Sequence, residues 1–104
     1  MNEEQKIEQE LQEKGLNAPR ITPDHIDSMI AGQMFYNFPG TTLTVCCLTL
    51  RNGFNVTGES AAASFENFSY EIGCKIAFQN AREKIWALEG YLLKQKLSEG
   101  LQND

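Results

Sequence analysis

The chain has 104 residues, three cysteines and a formal net charge of −5. That charge sits at the two ends: residues 1–14 hold five Glu against two Lys, residues 99–104 add Glu99 and Asp104, and residues 15–98 are neutral. Such a distribution excludes a basic footprint for DNA, RNA or an anionic membrane. Three cysteines without CxxC or Cys/His spacing exclude a disulfide framework and a zinc site.

One small domain is expected, covering residues 18–98, between an acidic tail at 1–17 and a short C-terminal tail at 99–104. The tail at 1–17 is read as flexible or as a frayed helix ending at Gly15, because Ile7, Leu11 and Leu16 leave little to bury. No apolar run is long enough to span a membrane, and no signal-peptide core opens the chain, so the protein is expected to stay where it is made.

Thr22, Pro23 and Asp24 form a helix start: an N-cap hydroxyl, a proline at the first helical position and an acid near the positive helix end. Ile26, Met29, Ile30 and Met34 then recur at helical spacing, which predicts a helix from about Pro23 to Tyr36. Asn37-Phe-Pro-Gly ends it. Thr41–Arg51 is β-branched and apolar, and predicts a strand. Asn52-Gly53 predicts a two-residue type I′ turn into a returning strand, Phe54–Glu59. That register pairs Arg51 with Phe54, Leu50 with Asn55 and Thr49 with Val56. Both faces of the first strand carry apolar side chains, so both are expected to be covered. A lone hairpin is marginal in water, so a third strand is expected from residues 18–22 or 60–65, or from a partner chain.

From Phe68 to Ser98 the chain reads as one long helix, capped by Asn67 or Ser69 and stopped by Gly100. It would be about 45 Å long, more than a compact domain of this size accommodates. Packing on another subunit is the favoured resolution. Cys74, Ala77, Phe78, Ala81, Ile85, Leu88 and Leu92 form one apolar track. A second track runs Tyr70, Gly73, Ala77, Asn80, Lys84, Ala87, Tyr91. The fold class that follows is α+β, a small antiparallel hairpin or sheet with one N-terminal and one long C-terminal helix, completed by oligomerisation.

No catalytic constellation is visible. His25 is the sole histidine and reads as an exposed structural residue, and no histidine follows Ser60 to build a triad. Glu59 and Ser60 either turn a strand end into a loop or contact a ligand hydroxyl. Arg51 is either a surface residue or an anion contact beside Phe54. In the second helical track, Gly73 and Ala77 would leave a shallow floor flanked by Tyr70, Asn80 and Lys84. This is either close helix–helix contact or a polar–aromatic groove, and a groove between two subunits would be both. No cofactor is implied.

Three stretches carry a resemblance: RNGFNVTGESA (Arg51–Ala61), NFSYEIGCKIAFQNA (Asn67–Ala81) and KIWALEGYLL (Lys84–Leu93). In that order and spacing, within residues 21–97, the chain resembles the gene product forty-nine/sixty-six family of small phage proteins, which includes the Thoeris anti-defence protein one type. The resemblance implies a phage protein acting in the host bacterial cytoplasm. Members of that type capture cyclic ADP-ribose-type nucleotides made by TIR-domain enzymes, some also binding cyclic oligonucleotides, without cleaving them. It implies a homo-dimer or hexamer with the ligand between subunits. By resemblance Arg51, Tyr70 and Asn80 line the pocket, with Lys94 and Lys96 near the diphosphate, where family members often carry arginines. The sequence therefore favours a non-enzymatic nucleotide sponge using Arg51, Glu59, Ser60, Tyr70, Asn80, Lys84, Lys94 and Lys96. Its rivals are a structural or protein-interaction phage component and, behind it, a nucleotide-cleaving enzyme with Glu59 as base.

Overall fold

The computed structural model describes residues 2–100. Met1 of the N-terminal tail and residues 101–104 of the C-terminal tail lie outside the described residues. The order of elements is α1 (Glu3–Glu13), α2 (Pro23–Ser28), β1 (Ile30–Asn37), β2 (Leu43–Leu50), β3 (Asn55–Ala61), a 3₁₀ turn (Phe65–Asn67) and α3 (Tyr70–Ser98). The α+β class and the long C-terminal helix are as the sequence predicts. Two compact units are present: Met29–Ile85, and the residues on either side of it.

The unit Met29–Ile85 is a three-stranded antiparallel sheet, order β1-β2-β3, with the first half of α3. The predicted helix over Pro23–Tyr36 is corrected here. It stops at Ser28, and Ile30–Asn37 is the third strand. Phe35 and Tyr36 suit a strand and Gly32 weakens a helix, but the decisive cause is tertiary. The free edge of β2 needs backbone partners, and β1 supplies them from Asn37↔Thr44 through Ile30↔Leu50, with an irregularity between Ile30 and Gly32. Asn37-Phe-Pro-Gly thus joins two strands instead of ending a helix.

The second hairpin is also corrected. Thr49 pairs with Asn55 and Leu48 with Val56, one residue away from the predicted register. The loop is Arg51-Asn52-Gly53. Gly53 N–H donates to Leu50 O at 2.9 Å and Leu50 N–H to Phe54 O at 2.8 Å, and Gly53 alone takes positive φ, at 90°. This is a three-residue loop with glycine in the left-handed position, and Asn52 Oδ1 accepts the Phe54 N–H at 3.0 Å. A type I′ turn would need Asn52 at positive φ, and among the described residues only glycines have it.

The shift decides what faces inward. Thr44, Cys46, Leu48, Leu50, Val56 and Gly58 are buried. The opposite side of β2 is only half-buried, and Met34 on β1 is 76% exposed. The expectation that both faces are covered fails within this unit.

α3 lies on the inner face through Gly73, Ala77, Ala81 and Ile85, four residues apart and all buried. A Cβ on Gly58 would lie 2.2 Å from Ala81 N and 2.4 Å from Ala77 O. Strand and helix backbones therefore touch, which only glycine permits. Gly73 and Ala77, read either as a helix–helix contact or as the floor of a groove, are instead buried against their own sheet. Of the apolar track, Leu88 and Leu92 are exposed.

The other unit contains α1, α2 and the second half of α3. α2 starts as predicted: His25 N–H donates to Thr22 Oγ1 at 3.1 Å and Ile26 N–H to Thr22 O. Ile26 is fully buried. α1 has a reciprocal cap between Asn2 and Gln5 and ends at Glu13, with Gly15 just past the Lys14 cap at φ 70°. None of its residues is buried. α3 ends at Ser98 before Gly100, which takes positive φ as a helix stop. Among the described residues no helix is long and apolar enough to cross a membrane.

Candidate functional site

In the unit Met29–Ile85, β3 and α3 carry most of the candidate residues. Asn80 and Glu59 come together: Asn80 Nδ2 donates to the Glu59 backbone oxygen at 2.8 Å. β3 is an edge strand, so its outward carbonyl has no ladder partner, and the Asn80 amide fills that position. The Glu59 side chain points to the opposite face from Gly58 and is exposed; Ser60 faces inward and is half-buried. Lys84, one helical turn beyond Asn80, is exposed.

Tyr70 opens α3 and is 48% exposed. The Cys74 thiol, its side-chain hydrogen-bond partner one turn on, pushes the Tyr70 phenol above its ordinary pKa, with burial adding to the shift. Ser69 is the cap residue, its Oγ accepting the Ile72 N–H at 3.3 Å. The predicted alternative, Asn67, belongs to the 3₁₀ turn instead.

Arg51 sits in the hairpin loop and is exposed, with its backbone N–H on Met29 O at 3.0 Å. The predicted Arg51–Phe54 pairing on one strand face does not form, because the longer loop takes Arg51 out of the ladder. Arg51 and Tyr70 also stand apart. A Cβ on Gly73 would meet the Thr44 hydroxyl, Thr44 pairs with Ser60, and Gly58 meets Ala77 and Ala81, so α3 runs antiparallel to β3 from its Ser60 end. Arg51 lies past the other end of β3. Seven strand residues separate the two, about 20 Å at 3.3 Å per residue.

Lys94 and Lys96 are exposed on the second half of α3, in the other unit. There His25 Nε2 lies 2.7 Å from Glu89 Oε1. The lone histidine, expected to be exposed, is instead half-buried against a carboxylate that is itself 9% exposed. Sixty-four residues separate the pair, and no local spacing announces it.

Two further features are not legible in the sequence. Gln33 and Phe35 on β1 and Cys74, Lys75, Phe78 and Gln79 on α3 line a cavity of about 280 Å³. They meet only because β1 is a strand. Arg82 is buried on α3, where a charged residue is not expected. Among the described residues no group of three or more His, Cys, Asp or Glu side chains is placed to hold a metal. Cys46 is buried, which pushes its thiol up to about 11.

Fold and site define a small α+β protein: a three-stranded antiparallel sheet backed by one long helix, with polar and aromatic groups at both ends of the sheet. Residues 21–97 match the model of the Phage protein (N4 Gp49/phage Sf6 gene 66) family, and the chain belongs to that family. No curated protein and no solved structure matches the chain.

Proposed function

We propose that this phage protein binds a cyclic ADP-ribose-type nucleotide and holds it without cleaving it. The family match supports the reading, since residues 21–97 contain all three stretches that carry the resemblance to this family, and the resemblance includes the anti-defence type. In this reading Tyr70 stacks on the adenine, and Asn80 with Glu59 and Ser60 bonds the base edge or ribose. Arg51 and Lys84 neutralise the phosphates. Holding a ligand requires complementary contacts and slow release, with no group that breaks a bond.

The separation of Arg51 from Tyr70 supports a site shared between copies. A ligand much shorter than that span touches only one of them on a single chain. In a dimer or hexamer, Arg51 of one copy meets Tyr70 of another, and the pocket is complete only in the assembly.

Thermal melting with and without cyclic ADP-ribose isomers and cyclic di- and trinucleotides tests the proposal. At a thousandfold excess over Kd a bound ligand adds about 4 kcal/mol. Arg51→Ala and Asn80→Ala should each abolish the shift; if both variants bind normally, the assigned site is wrong. Mass spectrometry after heat release should return the nucleotide intact, and a converted product would make the protein an enzyme.

The uncovered outer face of the sheet, with Met34 and Tyr36 exposed, favours a second reading: a protein-binding phage component without a nucleotide ligand. It predicts that no nucleotide in the panel raises the melting temperature.

A further inference from the structure

α1 is complete without help from the rest of the chain. The Asn2/Gln5 box satisfies its first turn. Gly15 N–H bonds Gln12 O and Leu16 N–H bonds Leu11 O at its last. It buries no residue, and it lies before residue 21, where the family match begins.

Two polar contacts tie α1 to its unit. Trp86 Nε1–H donates to Glu4 Oε2 at 3.0 Å. The Arg20 guanidinium forks onto Glu8, Nε to Oε1 at 3.3 Å and Nη2 to Oε2. Glu4 and Glu8 are four residues apart, so both carboxylates project from one helix face. Beside α2 it borders a cavity of about 570 Å³, lined by residues such as Gln5, Gln9, Thr22 and Asp24. An indole N–H and a guanidinium therefore receive two acids of a helix none of whose residues is buried.

We infer that Arg20 and Trp86 form a docking seat for an acidic helix, that α1 fills it as a displaceable internal ligand, and that a protein partner presenting two carboxylates at this i,i+4 spacing takes its place. Charge complementarity selects the partner. Both donors of the seat bond carboxylates, and the guanidinium fork favours a paired acceptor over a single hydroxyl. This inference is independent of nucleotide binding, which uses none of these four residues.

Trp86 is the only tryptophan, so its emission reports this seat alone. In the full chain, Glu4→Gln with Glu8→Gln should move the emission to longer wavelength and expose it to acrylamide, while the cooperative melt is retained. A synthetic peptide of residues 2–16 added in trans should then restore the original emission saturably. The same peptide with both glutamates changed to glutamine should bind at least about tenfold more weakly. In a separate chain, Arg20→Gln should release Trp86 in the same way, and the acidic peptide should not restore its emission. Unchanged emission in the double variant would overturn the inference, as would loss of the cooperative melt in both the double variant and Arg20→Gln. So would equal binding of the two peptides, or no binding of either.

Discussion

The two units of this molecule are held together by different physics. In Met29–Ile85 the contacts are close and apolar: Cys46 and Leu48 are fully buried, and the backbones of β3 and α3 meet at Gly58. Among the described flanking residues Ile26 is the one fully buried apolar side chain, and polar fixings join it: His25 to Glu89, Trp86 to Glu4, Arg20 to Glu8. Tight apolar packing is intolerant of added volume and indifferent to salt. Polar fixings behave the other way.

The sharpest break should come at Gly58→Ala. The new methyl meets main-chain atoms that cannot step aside, so the loss should be at least about 3 kcal/mol, read as a fall in the urea midpoint. A midpoint unchanged within error would mean that helix and strand are further apart than 2.2 Å from Cβ to Ala81 N allows.

His25→Ala probes the other kind of bond. It leaves the buried Glu89 carboxylate without this partner, at a cost of about 1–3 kcal/mol in the same measurement. Restoration by His25→Gln, which retains a donor, would separate the hydrogen bond from simple loss of volume.

Alkaline titration should act on the sheet unit through Cys46. Its folded pKa is raised from 9.0 to about 11, so above pH 9 the unfolded state loses the thiol proton while the folded state keeps it. Stability is therefore full below pH 9 and falls from there to about pH 11. In Cys46→Ala, compared at matched pH, this part of the slope should disappear. Glu8 has the opposite sign. The Arg20 hydrogen bond, helped by Gln12, holds its carboxyl below the ordinary range, so its contribution is present at neutral pH and lost as pH falls through that lowered value. Trp86 emission on acidification should follow that loss.

The smallest effect should be a gain. Gly90 lies inside α3 with nothing within 4 Å of a built Cβ, so Gly90→Ala should add about 0.5–1 kcal/mol. A loss would show that the site is more crowded than this.

Much of the frame was legible because local chemistry decided it. Thr22-Pro23 caps α2, β2 is β-branched and apolar, and Gly100 ends α3. Residues 30–37 were not legible: Ile26, Met29, Ile30 and Met34 fit a helical period, and only the unpaired edge of β2 makes the last part a strand. The hairpin register was missed because Asn-Gly suits both a two-residue loop and the tail of a three-residue one. Gly58 carried a signal that could have been used, since a glycine inside a strand marks a close backbone approach. At the candidate site, Asn80 with Glu59 was legible as a pair of polar residues but not as an edge-filling bond. The His25–Glu89 pair depends on chain positions that spacing cannot relate.

The Arg51-Asn52-Gly53 loop fixes where glycine stands in β3. Its three residues place Val56 and Gly58 on the same side as Leu48 and Cys46. With the loop held at three residues, sliding β3 along β2 by one would put Thr57 or Glu59 where Gly58 now meets Ala81, and neither side chain fits there. A slide of two keeps every inward residue inward but brings Val56 or Ser60 to the same point, which also excludes a side chain. A family member whose strands are slid at this turn should therefore carry its glycine the same number of places along β3.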